Sequence, residues 1–231
     1  MSPLPVTTAD VVLRKVEPVQ APVRSQAAQS LREAIFTGRL APGAKLVETT
    51  LCELLDVSRP SIREAMRQLE AEKLVTIIPF RGPFVARMTV DSARQLYEVR
   101  AILEAQAAAT AAKLATPDDL KEMAAALAEF AVAVRSKDAF ARLRHTDQFY
   151  AAVFRAAGNV VLVEVLEGLQ ARINYLRYRS MSSPDRAESS LQEMNDILKA
   201  IRARSGDRAA RAARLHVERA RDTAITMMES K

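Results

Sequence analysis

A mainly α chain in two parts, a small unit of three helices and a hairpin followed by an all-α antiparallel helical bundle, is what three features of the sequence predict. Among 231 residues 49% are hydrophobic but only 5% aromatic, with no Trp and 6 Gly, so alanine-rich helices must supply most of the structure. Runs of β-branched residues beside Pro and Gly fall before residue 88. From Thr89 onward the strand signal disappears and helices follow one another between brief breaks. The length suffices for a good core, in one large domain or two small ones.

Residues 1–22 carry Pro3, Pro5, Pro18 and Pro22 without a sustained period, which predicts a flexible arm. From Val23, Ala27, Leu31 and Ile35 share a helical face that Gly38 ends, and Pro42-Gly43 marks the next turn. Leu51, Leu54 and Leu55, at i, i+3, i+4, give a short second helix. Ser58 is a good N-cap and Pro60 sits in the first turn of a third helix, so Asp56-Val57-Ser58 is a tight connection. On that third helix Ile62, Ala65, Met66 and Leu69 form the apolar face, and Arg59, Arg63 and Arg67, spaced by four, form a cationic stripe beside it. Leu74–Ile78, the turn Pro79–Pro83 and Phe84-Val85 then make a hairpin with Arg81-Gly82 at its tip. Helix, helix, turn, helix, wing is a winged helix-turn-helix over residues 23–88, with the arginine-bearing helix as the reader of DNA. An arginine-rich helix by itself is more often a solvated surface; the material on both sides favours the reader.

Charge supports this only mildly. The whole chain is +6 with a pI near 9.7, which suits an anionic partner. Arg24 to Arg87 holds ten Lys/Arg against seven Asp/Glu, hence +3, so placement matters more than size. One cysteine, Cys52, excludes an internal disulfide and a thiolate zinc cluster, and its place beside Leu51 predicts a reduced packing residue. No apolar run approaches a membrane span and Met1 to Gln20 lacks the apolar core of a signal peptide, so a cytoplasmic protein is expected.

The second part, residues 89–231, reads as helices near 90–115, 117–135, 137–157, 159–181, 185–204 and 206–229. Thr116-Pro117-Asp118-Asp119 is a strong start signal, and Gly158-Asn159, Ser183-Pro184 and Ser205-Gly206 punctuate the rest. Helices joined this tightly are antiparallel neighbours in a bundle. There is no P-loop, GxGxxG or HExxH, and the bundle offers only His145 and His216, no cysteine and no nucleophile-base spacing. An enzyme is therefore not expected, nor a cofactor.

With these residues in view the chain resembles the GntR family of bacterial transcription regulators, in the FadR-type subfamily with an FCD effector domain. In the first part the likeness rests on Gly38-Arg39-Leu40-x-Pro42-Gly43-x-x-Leu46-x-Glu48, Val57-Ser58-Arg59-Pro60-Ser61-Ile62-Arg63-Glu64-Ala65, Leu69-Glu70-x-x-x-Leu74-Val75 and Arg81-Gly82-x-x-Val85. In the second part it rests on Leu96-Tyr97-Glu98-Val99-Arg100-x-x-Leu103-Glu104, Phe149, Ala156-Ala157-Gly158-Asn159 and Ile197-Leu198-x-Ala200-Ile201. The resemblance implies a winged helix that binds a palindromic operator in double-stranded DNA, and an FCD-like bundle that forms a homodimer and binds a small metabolite, usually a carboxylate. It implies DNA contacts at Ser58, Arg59, Ser61 and Arg63 on the helix and Arg81 and Gly82 on the wing, to which the stripe adds Arg67. Thr49 departs from the pattern where some members carry a basic contact, leaving only its hydroxyl.

The resemblance also implies a metal held by an Asp and a His four apart plus two later histidines. Here Thr146 stands at the Asp position, Tyr150 at the first His, Met194 at the second, and only His216 survives. A phenol, a thioether and an aliphatic hydroxyl are poor ligands, and His145 and Asp147 lie about 100° off the needed face, so no metal is expected. The expected pocket is metal-free, with Arg100 facing a ligand carboxylate and Tyr150, Met194, His216, Arg172 and Asn195 lining the cavity. The competing expectation is that Arg100 pairs with Glu104 and side chains fill the pocket, leaving a DNA-bound scaffold that senses nothing. An all-α enzyme with a DNA-binding module is a distant third.

Overall fold

The computed structural model describes residues 23–181 and 183–230; the expected amino-terminal arm lies outside the described residues. The order is α1 (Val23–Phe36), α2 (Glu48–Leu55), α3 (Arg59–Ala71), β1 (Val75–Ile78), β2 (Gly82–Val85), α4 (Val90–Leu114), α5 (Pro117–Arg135), α6 (Ala139–Ala157), α7 (Val160–Ser180), α8 (Pro184–Arg202) and α9 (Gly206–Glu229).

In the head, α1 lies on α3, and Ala28, Leu31 and Ile35 are buried with Ile62, Ala65, Met66 and Leu69. The three- and four-residue spacing within each set makes one continuous apolar seam. Helix α2 departs from expectation. Leu51 is buried, but Leu54 is 74% exposed. A step of three residues turns a side chain about 60° short of a full circle, and here that carries Leu54 out of the seam while Leu55 stays partly inside.

β1 and β2 pair antiparallel with Val75 opposite Val85 and Ile78 opposite Gly82. Pro83, expected in the turn, lies inside β2 opposite Ile77. A proline cannot donate, but its carbonyl accepts from the Leu46 amide at 2.9 Å, and Lys45 bridges Phe84 beyond it. Gly43 holds the neighbouring turn at φ +81, with its amide on the Val85 carbonyl at 2.9 Å. A Cβ there would fall 2.4 Å from the Arg87 guanidinium. Because Arg87 can swing aside while the positive φ persists, Gly43→Ala is expected to destabilise by about 1 kcal/mol, a melting-temperature drop of roughly 2–4 °C readable by calorimetry.

In the bundle, α4 runs through the centre and packs along α9. Both helices bury alanines, Ala101, Ala105, Ala108 and Ala112 on one and Ala209, Ala213, Ala220 and Ala224 on the other, so their axes come close. The starts match their caps: Thr116 and Asp119 form a reciprocal capping box with Pro117 in the first turn, and Asp138 and Asn159 cap α6 and α7.

Head and bundle meet through aromatics. The Phe36 ring of α1 lies 6.2 Å from Tyr175 and 6.3 Å from Tyr178, both on α7, and Phe140 of α6 lies 4.8 Å from Tyr178. Among the described residues no helix is long and apolar enough to cross a membrane.

Candidate functional site

Two groups of side chains stand out: an exposed cationic face on α3 and a buried cluster of charges inside the bundle. On α3, the Ser58 hydroxyl accepts from the Ser61 amide at 3.4 Å and lies 2.9 Å from the Ser61 hydroxyl, fixing the first turn. Arg59, Arg63 and Arg67 all face solvent beside the buried seam. Arg63 reaches Glu48 at 2.9 Å and Arg67 reaches Glu64 at 3.6 Å, while Arg59 has no ion pair among the described residues. Exposed pairs of this kind contribute little, so these guanidiniums can exchange a carboxylate for a phosphate at small cost. Thr49 is exposed in the first turn of α2. On the wing, Arg81 lies 5.6 Å above the Phe84 ring, and Gly82, at φ +88, has open space where a Cβ would be. Phe80, at φ 62, is wholly exposed at the tip, an apolar projection that sequence reasoning passed over.

Inside the bundle, Arg100 of α4 is 1% exposed and its Nε donates to Glu104 at 2.5 Å. Burial works most strongly against the charge of Arg100, but Glu104 together with the neighbouring Tyr150 and Tyr97 outweighs it and keeps the guanidinium firmly protonated. Arg177 of α7 is buried beside it. Burial and then repulsion from Arg100 weaken its hold on its proton, and Asp147 opposes them. Its Nη1 donates to Asp147 at 2.7 Å, but its Nε is buried without a partner. The Tyr150 ring lies 6.0 Å from the Arg100 guanidinium and 5.3 Å from that of Arg177. The Tyr97 and Tyr150 hydroxyls are buried without a well-formed hydrogen bond, although the Glu104 carboxylate lies beside the Tyr150 hydroxyl; burial raises both pKa values, and the charge of Glu104 and its contact with the hydroxyl raise that of Tyr150 further.

A second cluster joins α8 to α9. Arg186 grips both oxygens of Glu193 at 3.0 and 2.8 Å, and the same carboxylate accepts from Nδ1 of His216 at 2.7 Å and from Arg219 at 3.2 Å. Burial alone would raise the Glu193 pKa, but the bonds from His216 and Arg186 pull it down to about 2. Burial lowers the His216 pKa, with the Glu193 bond opposing it. The small polar gap between Arg100, Arg177, Arg186 and His216 admits no water molecule. Immediately beside it, however, a cleft of about 530 Å³ opens between α6 and α7, with Tyr150, Phe154 and Val163 among its walls and Asp147 at its edge.

Of the residues expected in the pocket, Arg100, Tyr150 and His216 converge. Met194 is sealed in the alanine-rich core. Asn195 donates to the Leu191 carbonyl of its own helix. Arg172 lies apart, in a hollow between head and bundle. Sequence reasoning missed Tyr97, Arg177, Arg186 and Glu193. Periodicity carried the signal: Arg177 continues the buried stripe of Leu162, Leu166 and Ile173, and a charged residue on a buried stripe marks a cavity or an internal pair.

An interior charged cluster within a helical bundle, joined to a helix-turn-helix head with an exposed cationic helix, defines a DNA-binding protein with an all-α second part. Two family models match, "Bacterial regulatory proteins, gntR family" over residues 23–85 and "FCD domain" over 95–219. The chain is 30% identical over 206 residues to the galactonate operon transcriptional repressor of Escherichia coli K12, covering 80% of this chain and 89% of that one. It is 28% identical over 204 residues to the HTH-type transcriptional repressor RspR of the same strain, covering 88% and 89%. A solved GntR regulator from Rhodococcus sp. RHA1 superposes with a TM-score of 0.73 at 25% identity, covering 88% and 97%, and E. coli McbR/YncC, at 0.76 and 21%, covering 92% and 100%, shares the fold. The chain belongs to the GntR family of bacterial regulators, with an FCD domain; it is a transcriptional regulator and not an enzyme.

The metal that the resemblance implies does not fit these residues. The Thr146 hydroxyl donates back to the Arg142 carbonyl at 2.8 Å, Met194 lies in the core, and the Glu193 carboxylate beside His216 is already held by two guanidiniums. Among the described residues no three His, Cys, Asp or Glu are grouped to hold an ion.

Proposed function

We propose that the chain is a ligand-responsive repressor that binds a palindromic operator as a homodimer in the cytoplasm, reading DNA with residues 23–88 and sensing a small carboxylate with residues 89–231. The contacts with DNA are Ser58, Arg59, Ser61, Arg63 and Arg67 on α3, Thr49 on α2, and Arg81 and Gly82 on the wing. Exposed Val99 and Ile102 on α4 and Val161 and Val165 on α7, two neighbouring helices, are the apolar surface offered to a second copy.

The observation that carries the sensing role is the set of unsatisfied buried donors: Nε of Arg177 and the hydroxyls of Tyr97 and Tyr150, beside Arg100. Buried donors without acceptors are destabilising, and a carboxylate relieves all three at once. The apolar body of the ligand lies in the cleft between α6 and α7, and its charged end reaches the arginines by displacing the Tyr150 ring. Ligand then shifts the population of head orientations and with it the fit to both half-sites.

Tyr150→Phe tests this without gutting the core, because it deletes only a hydroxyl that makes no well-formed hydrogen bond. The variant is expected to melt at or slightly above the wild-type temperature, and to lose roughly tenfold in affinity for whichever carboxylate of a panel stabilises the wild type. An undiminished ligand response in the variant, or no response of the wild type to any carboxylate, would favour the scaffold.

A further inference from the structure

A separate hollow of about 250 Å³ lies where the head meets the bundle. Lys73, just before β1, and Arg87, just after β2, line it from the head, and Arg172 of α7 lines it from the bundle, over a floor that includes Leu74, Met88 and Tyr175. No carboxylate is among its lining residues. None of the three cations has a hydrogen bond or ion pair among the described residues. The Nε of Arg172 is also shut off from water with nothing to donate to.

Lys73 and Arg87 are exposed, so water screens much of their repulsion of Arg172, but the Nε of Arg172 is a buried charged donor without an acceptor, which is penalised more than a neutral one. An anion that enters meets all three cations and answers that donor. Arg87 is laid across the turn at Gly43, where its guanidinium occupies the space a Cβ would need. The volume holds roughly eight water-sized groups, which suits a phosphate group or a compact di-acid and is too small for a nucleotide.

We propose that this hollow binds a small multivalent oxyanion through Lys73, Arg87 and Arg172, and that the bound anion ties the base of the wing to α7. The residues are distinct from those around Arg100, so the site acts alongside the interior cavity. Because one side of the hollow belongs to each part, occupation sets the orientation of the head directly.

The test is to melt the full chain in inorganic phosphate and in chloride at matched ionic strength and pH. At ten times the dissociation constant, phosphate is expected to raise the melting temperature by about 3–6 °C over chloride. Arg172→Met keeps the apolar stem and removes the charge; it should melt within about 2 °C of wild type in chloride and lose the phosphate increment. The double variant Lys73→Gln, Arg87→Gln should lose it too, and carries the test alone if Arg172→Met fails to fold. A four-carbon dicarboxylate run in parallel separates the two sources: a response to phosphate alone assigns a phosphate group, and a response to the dicarboxylate assigns a di-acid. Superimposable curves in phosphate, dicarboxylate and chloride, or an increment that survives in both variants, would overturn the proposal.

Discussion

Arg59→Ala combined with Arg63→Ala is expected to weaken operator binding on the order of 10³-fold, two contacts at roughly 2 kcal/mol each, while the fold stays intact. Both side chains face solvent, and the ion pair that Arg63 makes with Glu48 is half exposed, so its loss changes stability by a few tenths of a kcal/mol at most. Fluorescence anisotropy on DNA upstream of the gene, at two salt concentrations, reads the effect. The double variant should also show a shallower dependence on salt, by roughly one unit of slope for each phosphate that is no longer neutralised. Specific binding that persists would remove α3 as the reading element.

The second large effect belongs to Glu193→Ala. Glu193 is 6% exposed and answers Arg186, His216 and Arg219 together. Removing it leaves the buried Arg186 charge without an acceptor, which costs about 3–5 kcal/mol and lowers the melting temperature by roughly 10 °C. The dependence on pH should change as well. Glu193 holds its proton less tightly in the fold than in the unfolded chain, at about 2 against 4.5, so its contribution is present above pH 4.5 and is lost as pH falls towards 2. His216 is likewise depressed, by burial, so its neutral form favours the fold above about pH 6.5 and the benefit fades below that. The wild type should therefore lose stability steadily below about pH 6.5, and the Glu193→Ala variant should show a flatter curve between pH 4.5 and 2.5. Equilibrium denaturation across that range decides it, and parallel curves for the two proteins would refute the assignment.

Much of the architecture was legible because local signals agreed with one another. The capped start at Thr116 and the breaks at Gly158 and Gly206 place helix ends within two residues of where they fall. The α3 face was equally plain, since Ile62, Met66 and Leu69 fall at i, i+4, i+7 while Arg59, Arg63 and Arg67, spaced by four, run beside them. Pro83 was misplaced because a proline reads as a turn, whereas here its own carbonyl accepts from the Leu46 amide and the strand needs no N–H from it. Leu54 was misplaced because a short helix gives periodicity too few turns to choose a side.

The interior was harder. Arg100, Tyr150 and His216 could be placed by resemblance, but which cations meet them depends on how α7 and α8 are rotated, and sequence spacing fixes rotation only up to the neighbours that each helix finds. Arg172 and Arg177 differ by five residues on one helix and so point to different sides, one to the junction and one to the cavity.

α7 thus carries contacts to the junction, the head and the interior alike. Within two turns it presents Arg172 to the junction, Tyr175 and Tyr178 to Phe36 of the head, and Arg177 to the interior. Arg177 sits between Tyr175 and Tyr178 in the chain, so the guanidinium that enters the interior and the two rings that meet the head are carried by a single turn of one rod.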